Sequence, residues 1–252
     1  MRTLFTRSVT ARHLAEPLVS FDATSDASAT RSFMERRDFD VVGVRVDGTT
    51  LGYVRRQELD VGTLEQYRHA FDDFRDIVHE HDTLTTVLER LVGQPTVFVR
   101  MMGQVSGIIT KGDLQKAPVR MWLFGLVSLL EMHMLRIIRA RYVGDAWVGL
   151  LSRRRVANAQ KILAERLRRN EAIDLADCLQ LSDKAMIVAS QPSLRAELGL
   201  GGKKATARLF REITALRNQL AHAHDIVSGN WPNLAGVARA AEALVEAAER
   251  AD

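Results

Sequence analysis

The sequence has little cysteine and little proline. Its single cysteine, Cys178, excludes an intramolecular disulfide and any zinc cluster built from several cysteines of one chain. Among 252 residues there are five prolines and 16 glycines, with 46% hydrophobic and 26% charged residues. This composition excludes disordered and collagen-like chains, and the length suggests about two folded domains.

Long apolar runs are also missing. The N-terminal residues lack the apolar core of a secretory signal, and no stretch reaches the roughly 18 uninterrupted apolar residues of a membrane span. The nearest approach, residues 121–138, is interrupted by Glu131, His133 and Arg136, so we interpret it as a buried helix. We therefore expect a cytoplasmic protein without a membrane partner.

The net charge of +4 is unevenly distributed along the chain. Residues 1–118 carry 15 basic and 17 acidic residues, which leaves 20 basic and 14 acidic residues for 119–252. The two halves therefore have net charges of −2 and +6. Only the C-terminal half is expected to attract a polyanion such as RNA.

An internal repeat with an offset of 55 residues occupies the N-terminal half. Residues 42–48 (VGVRVDG) align with 97–103 (VFVRMMG), and residues 52–59 (GYVRRQEL) align with 107–114 (GIITKGDL). Each copy has a β-branched run, a turn at Gly48 or Gly103, a second strand and a helix start. An amphipathic stretch precedes each copy, at 28–37 and 84–92.

This pattern resembles a tandem pair of cystathionine β-synthase (CBS) domains over about residues 8–118, with repeats at about 8–60 and 75–118. The family motif of glycine, two hydrophobic residues, Thr or Ser, two variable residues and Asp matches the segment from Gly107 to Asp113. The resemblance implies that Thr110 contacts the phosphate and Asp113 the ribose of an adenine nucleotide of the AMP, ADP or ATP type. A strand that ends at Thr110 and turns into a helix can present a hydroxyl and backbone N–H groups to phosphate.

The first copy departs from this motif. Arg55 stands at the position of the Thr, and Glu58 stands at the position of the Asp. We therefore predict one nucleotide site rather than two, to which Arg55 could contribute by pairing with a polyphosphate. The alternative is that Thr110 and Asp113 only cap the helix that follows them.

The C-terminal half, residues 119–252, is predicted to be an all-α bundle. Helical periodicities indicate helices at about 119–141, 145–169, 174–190, 204–223 and 233–250. The fourth helix has a buried stripe of Leu209, Ile213, Leu216 and Leu220. The predicted fold class is therefore α+β, with a tandem βαββα-type CBS module followed by a helical bundle.

The end of the fourth helix, residues 216–224, reads LRNQLAHAH. It resembles the signature of the HEPN superfamily (higher-eukaryote and prokaryote nucleotide-binding domains): Arg, a polar residue, three more residues and His. The resemblance implies a dimeric bundle that cuts RNA without a metal. Arg217 would neutralise charge on the phosphoryl oxygens, His222 would move a proton, Asn218 would orient His222 or the phosphate, and His224 would be auxiliary. The alternative is a helix end whose Arg and His face free carbonyls.

Other residues add weaker predictions. A basic helix carries the predicted RNA-contacting residues Arg153, Arg154, Arg155 and Lys161, although a solvated face would have the same composition. Glu131 lies in an apolar helix, where it needs a partner, and could position the catalytic arginine. No metal site is predicted, because no His, Asp and Glu residues have ligand spacing.

The first functional prediction is a metal-independent endoribonuclease regulated by an adenine nucleotide. Attack of the RNA 2′-hydroxyl would leave a 2′,3′-cyclic phosphate, and the resemblance implies a homodimer or higher homo-oligomer that acts as a toxin or in defence. No cofactor would be required for catalysis. The alternative prediction is a non-catalytic regulatory or dimerisation protein that senses the nucleotide. A metal-dependent enzyme is a third and weaker prediction.

Overall fold

The computed structural model describes residues 8–221 and 231–250. It divides into an N-terminal unit, Val9–Val119, and a C-terminal unit that begins at Arg120. In the described part of the chain, all strands belong to the N-terminal unit and the C-terminal unit is helical. The fold is therefore of the mixed α+β class.

The N-terminal unit contains eight short strands and two α-helices. The strands are β1 (Glu16–Pro17), β2 (Ser20–Asp22), β3 (Val41–Val46), β4 (Thr49–Arg55), β5 (His69–Ala70), β6 (Ile77–His79), β7 (Thr96–Met101) and β8 (Gln104–Thr110). The helices are α1 (Ala27–Arg37) and α2 (Leu84–Gly93), and 3₁₀ helices lie at Ala11–His13, Arg56–Glu58, Leu64–Tyr67 and Lys111–Gln115. Both α-helices start at a side-chain cap, Asp26 for α1 and Thr83 for α2.

The structure contains the repeat at the predicted offset of 55 residues. The hairpin β3–β4 corresponds residue for residue to the hairpin β7–β8. Both hairpins turn through two residues with positive φ, Asp47–Gly48 and Met102–Gly103, as a type I′ turn requires. Both also have a register shift at matching positions, after Val44 and Val99.

The two sheets exchange their short edge strands. Their orders are β2-β3-β4-β5 and β1-β8-β7-β6. Thus β1, which lies within the first expected repeat, pairs with β8 of the second, and β5, which lies between the two expected repeats, pairs with β4 of the first. The expected limits of 8–60 and 75–118 therefore do not enclose two separate sheets, because each sheet takes one strand from outside its own repeat.

The C-terminal unit is built from helices around an apolar core. The helices are α3 (Ala117–Arg141), whose first three residues belong to the N-terminal unit, α4 (Arg153–Leu167), α5 (Leu181–Ser190), α6 (Pro192–Glu197), α7 (Lys203–Ala221) and α8 (Trp231–Arg250). Ile138, Trp147, Leu179 and Ile187 are buried together in this core. Of the predicted stripe on α7, Ile213 and Leu216 are buried, while Leu209 and Leu220 are half-buried.

Two helix predictions need correction, and one helix was not predicted. The helix expected at 145–169 begins at Arg153, because Val148–Leu150 forms a 3₁₀ helix and Ser152 has extended backbone dihedrals. The helix expected at 174–190 begins at Leu181, where Gln180 and Asp183 form a capping box. Helix α6 was not predicted, although Pro192 occupies its first turn, where proline is favoured.

Helix α3 has the length and apolarity of a membrane span. Within the described residues, it is the helix that meets both criteria, with a mean hydropathy of 1.5 in its most apolar window. In the protein, 61% of that window is buried.

Candidate functional site

An open cleft of about 1220 Å³ lies in the N-terminal unit and is lined by residues of both repeats. Leu18, Phe39 and Ile108 form apolar parts of its wall, and Arg55 and Lys111 supply positive charge. Pockets for small molecules typically measure about 300–1,000 Å³. The cleft therefore has room for a ligand the size of a nucleotide.

The predicted Thr110 and Asp113 lie together at this cleft. The carboxylate oxygen Oδ2 of Asp113 accepts the backbone N–H of Thr110 at 2.7 Å and its hydroxyl at 3.0 Å. These bonds belong to a capping box for the 3₁₀ helix Lys111–Gln115. Both residues therefore have the capping role that the sequence left open, and both also line the cleft.

Lys116 occupies the other side of the Asp113 carboxylate. Its Nζ lies 2.8 Å from Asp113 Oδ1, donates to the backbone oxygen of Leu14 at 2.9 Å and also contacts Glu16. Burial lowers the pKa of Lys116, but the bonds to Asp113 and Glu16 outweigh it and raise the pKa above its usual value. One ammonium group thus joins β1 to the 3₁₀ helix at the cleft. Sequence reasoning missed this residue.

The equivalent position in the first repeat is arranged differently. Arg55 donates to Glu58 at 3.1 Å and to the hydroxyl of Tyr53 at 3.2 Å, and its guanidinium carbon lies 5.5 Å from the Tyr53 ring centroid. His69 contacts the second oxygen of Glu58 at 2.5 Å. Burial raises the pKa of Glu58, but the hydrogen bonds to His69 and Arg55 lower it by a larger amount. The net shift of the pKa is therefore downward. Arg55 and Glu58 are therefore already paired.

Aromatic rings fill this half of the unit. The Tyr53 ring lies 4.8 Å from Phe98, 5.8 Å from Phe71 and 5.2 Å from His69, measured between centroids. The pocket that Tyr53 and Phe98 line measures only about 280 Å³.

Smaller residues stand at the matching positions of the open half. The offset of 55 aligns Tyr53 with Ile108 and Phe98 with Gly43. Leu18 follows β1 in the same way that Phe71 follows β5. Three aromatic side chains in one half thus correspond to an isoleucine, a glycine and a leucine in the other, and this difference explains why only one half is open. The aligned repeats contained this signal.

No family model and no curated protein matches the chain. Solved structures that match include the CBS domain of the bacterial CNNM/CorC family Mg²⁺ transporter in complex with ATP (15% identity, 47% of this chain and 92% of that chain, TM-score 0.38). Others are the CBS-pair protein CBSX2 from Arabidopsis thaliana (14%, 44% and 95%, 0.40) and a hemolysin-like protein containing a CBS domain from Oenococcus oeni PSU (16%, 45% and 92%, 0.37). With these identities and TM-scores, the matches carry no inference about what this chain binds.

The predicted RNA motif lies partly within the described residues. Arg217 and Asn218 are exposed near the end of α7, where the Arg217 guanidinium donates to the Asn218 side-chain oxygen at 3.3 Å. His222 and His224 lie outside the described residues. Two carbonyls in the last turn of α7, those of Gln219 and Leu220, accept from Arg120 at 3.5 and 3.2 Å. Arg120 thus supplies a positive charge near the end of α7.

Glu131 has a charged partner on α5. Its Oε1 accepts from Nζ of Lys184 on α5 at 2.9 Å. The Lys184 side chain is only 6% exposed, so Glu131 supplies the counter-charge for a buried ammonium group. Sequence reasoning missed this partner, because it could not be identified before α3 and α5 were placed together. The role of Glu131 toward Arg217 stays a prediction.

Arg155, which was predicted to contact RNA, has a partner on α5. It pairs with the buried Asp183 and donates to the hydroxyl of Ser182 at 3.0 Å, so it joins α4 to α5 while its side chain stays partly exposed. By contrast, Arg153, Arg154 and Lys161 are exposed on α4. Within the part of the chain that the structure describes, no group of three or more metal-ligating side chains is present.

Proposed function

We propose that the N-terminal unit is a regulatory module that binds an adenine nucleotide in the open cleft. The observation that carries this proposal is the asymmetry of the two halves, since aromatic residues close one and leave the other open. The apolar wall at Leu18, Phe39 and Ile108 suits a flat heterocycle, and Arg55 and Lys111 suit phosphate.

The regulatory step would begin at Asp113. A ribose hydroxyl that donates to Asp113 competes with Lys116, which is the residue before the first residue of α3. In the first turns of α3, Arg120 donates to the end of α7. A ligand that changes the partners of Lys116 would therefore act on a helix that also contacts the segment with the predicted RNA motif.

This site is tested by calorimetric titration with AMP, ADP and ATP. We expect at least one of them to bind, and a concentration of 100 times Kd to stabilise the fold by about 2.7 kcal/mol. Asp113→Ala should weaken binding at least about tenfold, because it removes a charged acceptor. The control Asp60→Ala removes an exposed carboxylate outside the cleft and should leave affinity within about twofold. Equal losses in both variants, or no binding of any nucleotide, would contradict the proposal.

The second candidate function, carried by the exposure of Arg217 and Asn218 on a basic helix, is RNA cleavage by a cytoplasmic homo-oligomer. The 2′-oxygen would attack the adjacent phosphorus while the bond to the 5′-oxygen breaks. Arg217 would neutralise the phosphoryl oxygens, and His222 would pass the proton that the 2′-hydroxyl loses to the departing 5′-oxygen. The product end would be a 2′,3′-cyclic phosphate.

Arg217→Ala should lower cleavage of a labelled RNA in EDTA about a hundredfold, since it removes charge stabilisation of the transition state. The control Arg36→Ala changes an exposed arginine of α1 and should leave the rate unchanged. An RNA that carries 2′-O-methyl groups should stay intact, because it lacks the attacking hydroxyl. Cleavage that persists in Arg217→Ala would remove this candidate.

A further inference from the structure

One exposed side of α7 carries a row of positive charge. Lys204, Arg208 and Arg211 recur at spacings of four and three residues, so they lie on the same side of the helix. All three are exposed, and the same side continues through Ala215 to Asn218, which are exposed as well. We call Lys204, Arg208 and Arg211 the α7 basic stripe. It was not among the residues that the sequence predicted for RNA contact.

The charges of the stripe have no counter-ions in the described part of the chain. No ion pair or hydrogen bond joins their side chains to other described residues. Three arginines elsewhere in the same unit do have acidic partners: Arg139 pairs with Asp174, Arg166 with Glu171, and Arg250 with Glu246. A solvated helix face usually mixes both signs of charge, and the α7 basic stripe does not.

This placement of charge opposes the stability of α7 itself. Like charges three and four residues apart repel each other, and Lys203 and Lys204 stand in the first turn, where the helix dipole favours acidic groups. The helix contains five basic residues and one acidic residue, Glu212, so its net charge of +4 equals that of the whole chain. Binding of a polyanion explains an arrangement that helix stability does not.

The side chains on the same face of α7 limit the class of ligand that it can bind. Its exposed residues include no aromatic or large aliphatic side chain, because Phe210, Ile213 and Leu216 of α7 are buried. The face therefore lacks the apolar groups that insert into a membrane and the rings on which nucleobases stack. Contacts would be made to backbone phosphates alone.

We infer that the α7 basic stripe binds the phosphate backbone of single-stranded RNA, without sequence preference, and leads it to Asn218. A single row of charges about 10 Å long from Lys204 to Arg211 follows one strand more readily than the two strands of a duplex. This binding does not depend on RNA cleavage, so the two can be tested separately.

The test is fluorescence anisotropy with a labelled 20-nucleotide 2′-O-methyl oligouridylate in EDTA, since this probe cannot be cut by 2′-hydroxyl attack. We expect Arg208→Gln/Arg211→Gln to bind at least about tenfold more weakly at 50 mM salt. Its slope of log affinity against log salt should be shallower by about 1.4, or about 0.7 for each phosphate that the variant no longer neutralises. The control Arg36→Gln/Arg37→Gln removes the same charge from exposed positions of α1 and should bind within about twofold of the parent.

Glutamine has a helix propensity close to that of arginine, so we expect unchanged circular dichroism in both variants. Unchanged spectra would show that a loss of binding does not come from unfolding. Parent-like binding by the α7 variant, or an equal loss in the control, would overturn the inference. So would better competition by a duplex, polyglutamate or phosphatidylserine vesicles than by unlabelled oligouridylate. Binding without cleavage of the corresponding RNA would support the stripe and count against the ribonuclease proposal alone.

Discussion

Replacing Gly52 with alanine is expected to lower the free energy of unfolding of the N-terminal unit by about 3 kcal/mol, the upper end of the usual cost of overpacking. Gly52 lies on β4 opposite Ala70 of the exchanged strand β5. A Cβ atom added there would lie 2.3 Å from the backbone oxygen of His69. Because this atom belongs to the backbone, the chain can relieve the clash only by moving β5 away from β4.

Two further glycines provide graded controls. A Cβ at Gly107, the equivalent position on β8, would meet side-chain atoms at 3.0–3.1 Å, so Gly107→Ala should cost about 1 kcal/mol. At Gly112 the nearest atom would lie 3.6 Å away, and Gly112→Ala should be close to neutral. Hydrogen exchange of the β4 and β5 peptides, together with denaturant unfolding, measures this order. Equal stability of Gly52→Ala and Gly112→Ala would contradict the close pairing of β5 with β4.

The second large effect concerns the buried ion pair of the C-terminal unit. Glu131→Gln should destabilise this unit by about 3 kcal/mol, because the Lys184 ammonium would remain buried without its counter-charge. The double variant Glu131→Gln/Lys184→Met should recover most of that loss, since it removes the charge that needs a partner. Every tryptophan of the sequence lies beyond residue 119, and Trp122 and Trp147 are buried, so fluorescence-monitored unfolding reports on this unit.

The double variant also separates stability from catalysis. If Glu131 acted on Arg217, RNA cleavage would remain low in the refolded double variant. If the parent protein cleaves RNA, we expect the double variant to cleave RNA as well, because its fold is restored. A double variant no more stable than Glu131→Gln would indicate that another group neutralises Lys184.

Local patterns in the sequence predicted the elements that depend on neighbouring residues. The alignment of residues 42–48 with 97–103 located both hairpins and their turns, because turn chemistry and strand alternation act over a few residues. The apolar spacing on α7 located its buried side for the same reason. The spacing of Lys204, Arg208 and Arg211 marks its exposed side in the same way, but only the structure shows that these charges are without counter-ions among the described residues.

Contacts between distant segments were beyond such patterns. Three contacts join residues 53 or more positions apart: the pairing of β1 with β8, the bond of Lys116 to the Leu14 carbonyl, and the pairing of Glu131 with Lys184. No periodicity encodes such pairs. The closed half of the duplicated unit is an intermediate case, because the aligned residues Tyr53 and Ile108 differ visibly in size.

The strand exchange has a consequence for the order in which the N-terminal unit folds. The first sheet uses strands between Ser20 and Ala70, so all of its pairings are available once residue 70 has been synthesised. The second sheet is completed only when β8 meets β1, about 90 residues earlier in the chain. Closing so long a loop is slow compared with hairpin formation. The sheet that contains Thr110 is therefore the later one to form. Until β8 pairs with β1, the edge of β1 has no partner strand.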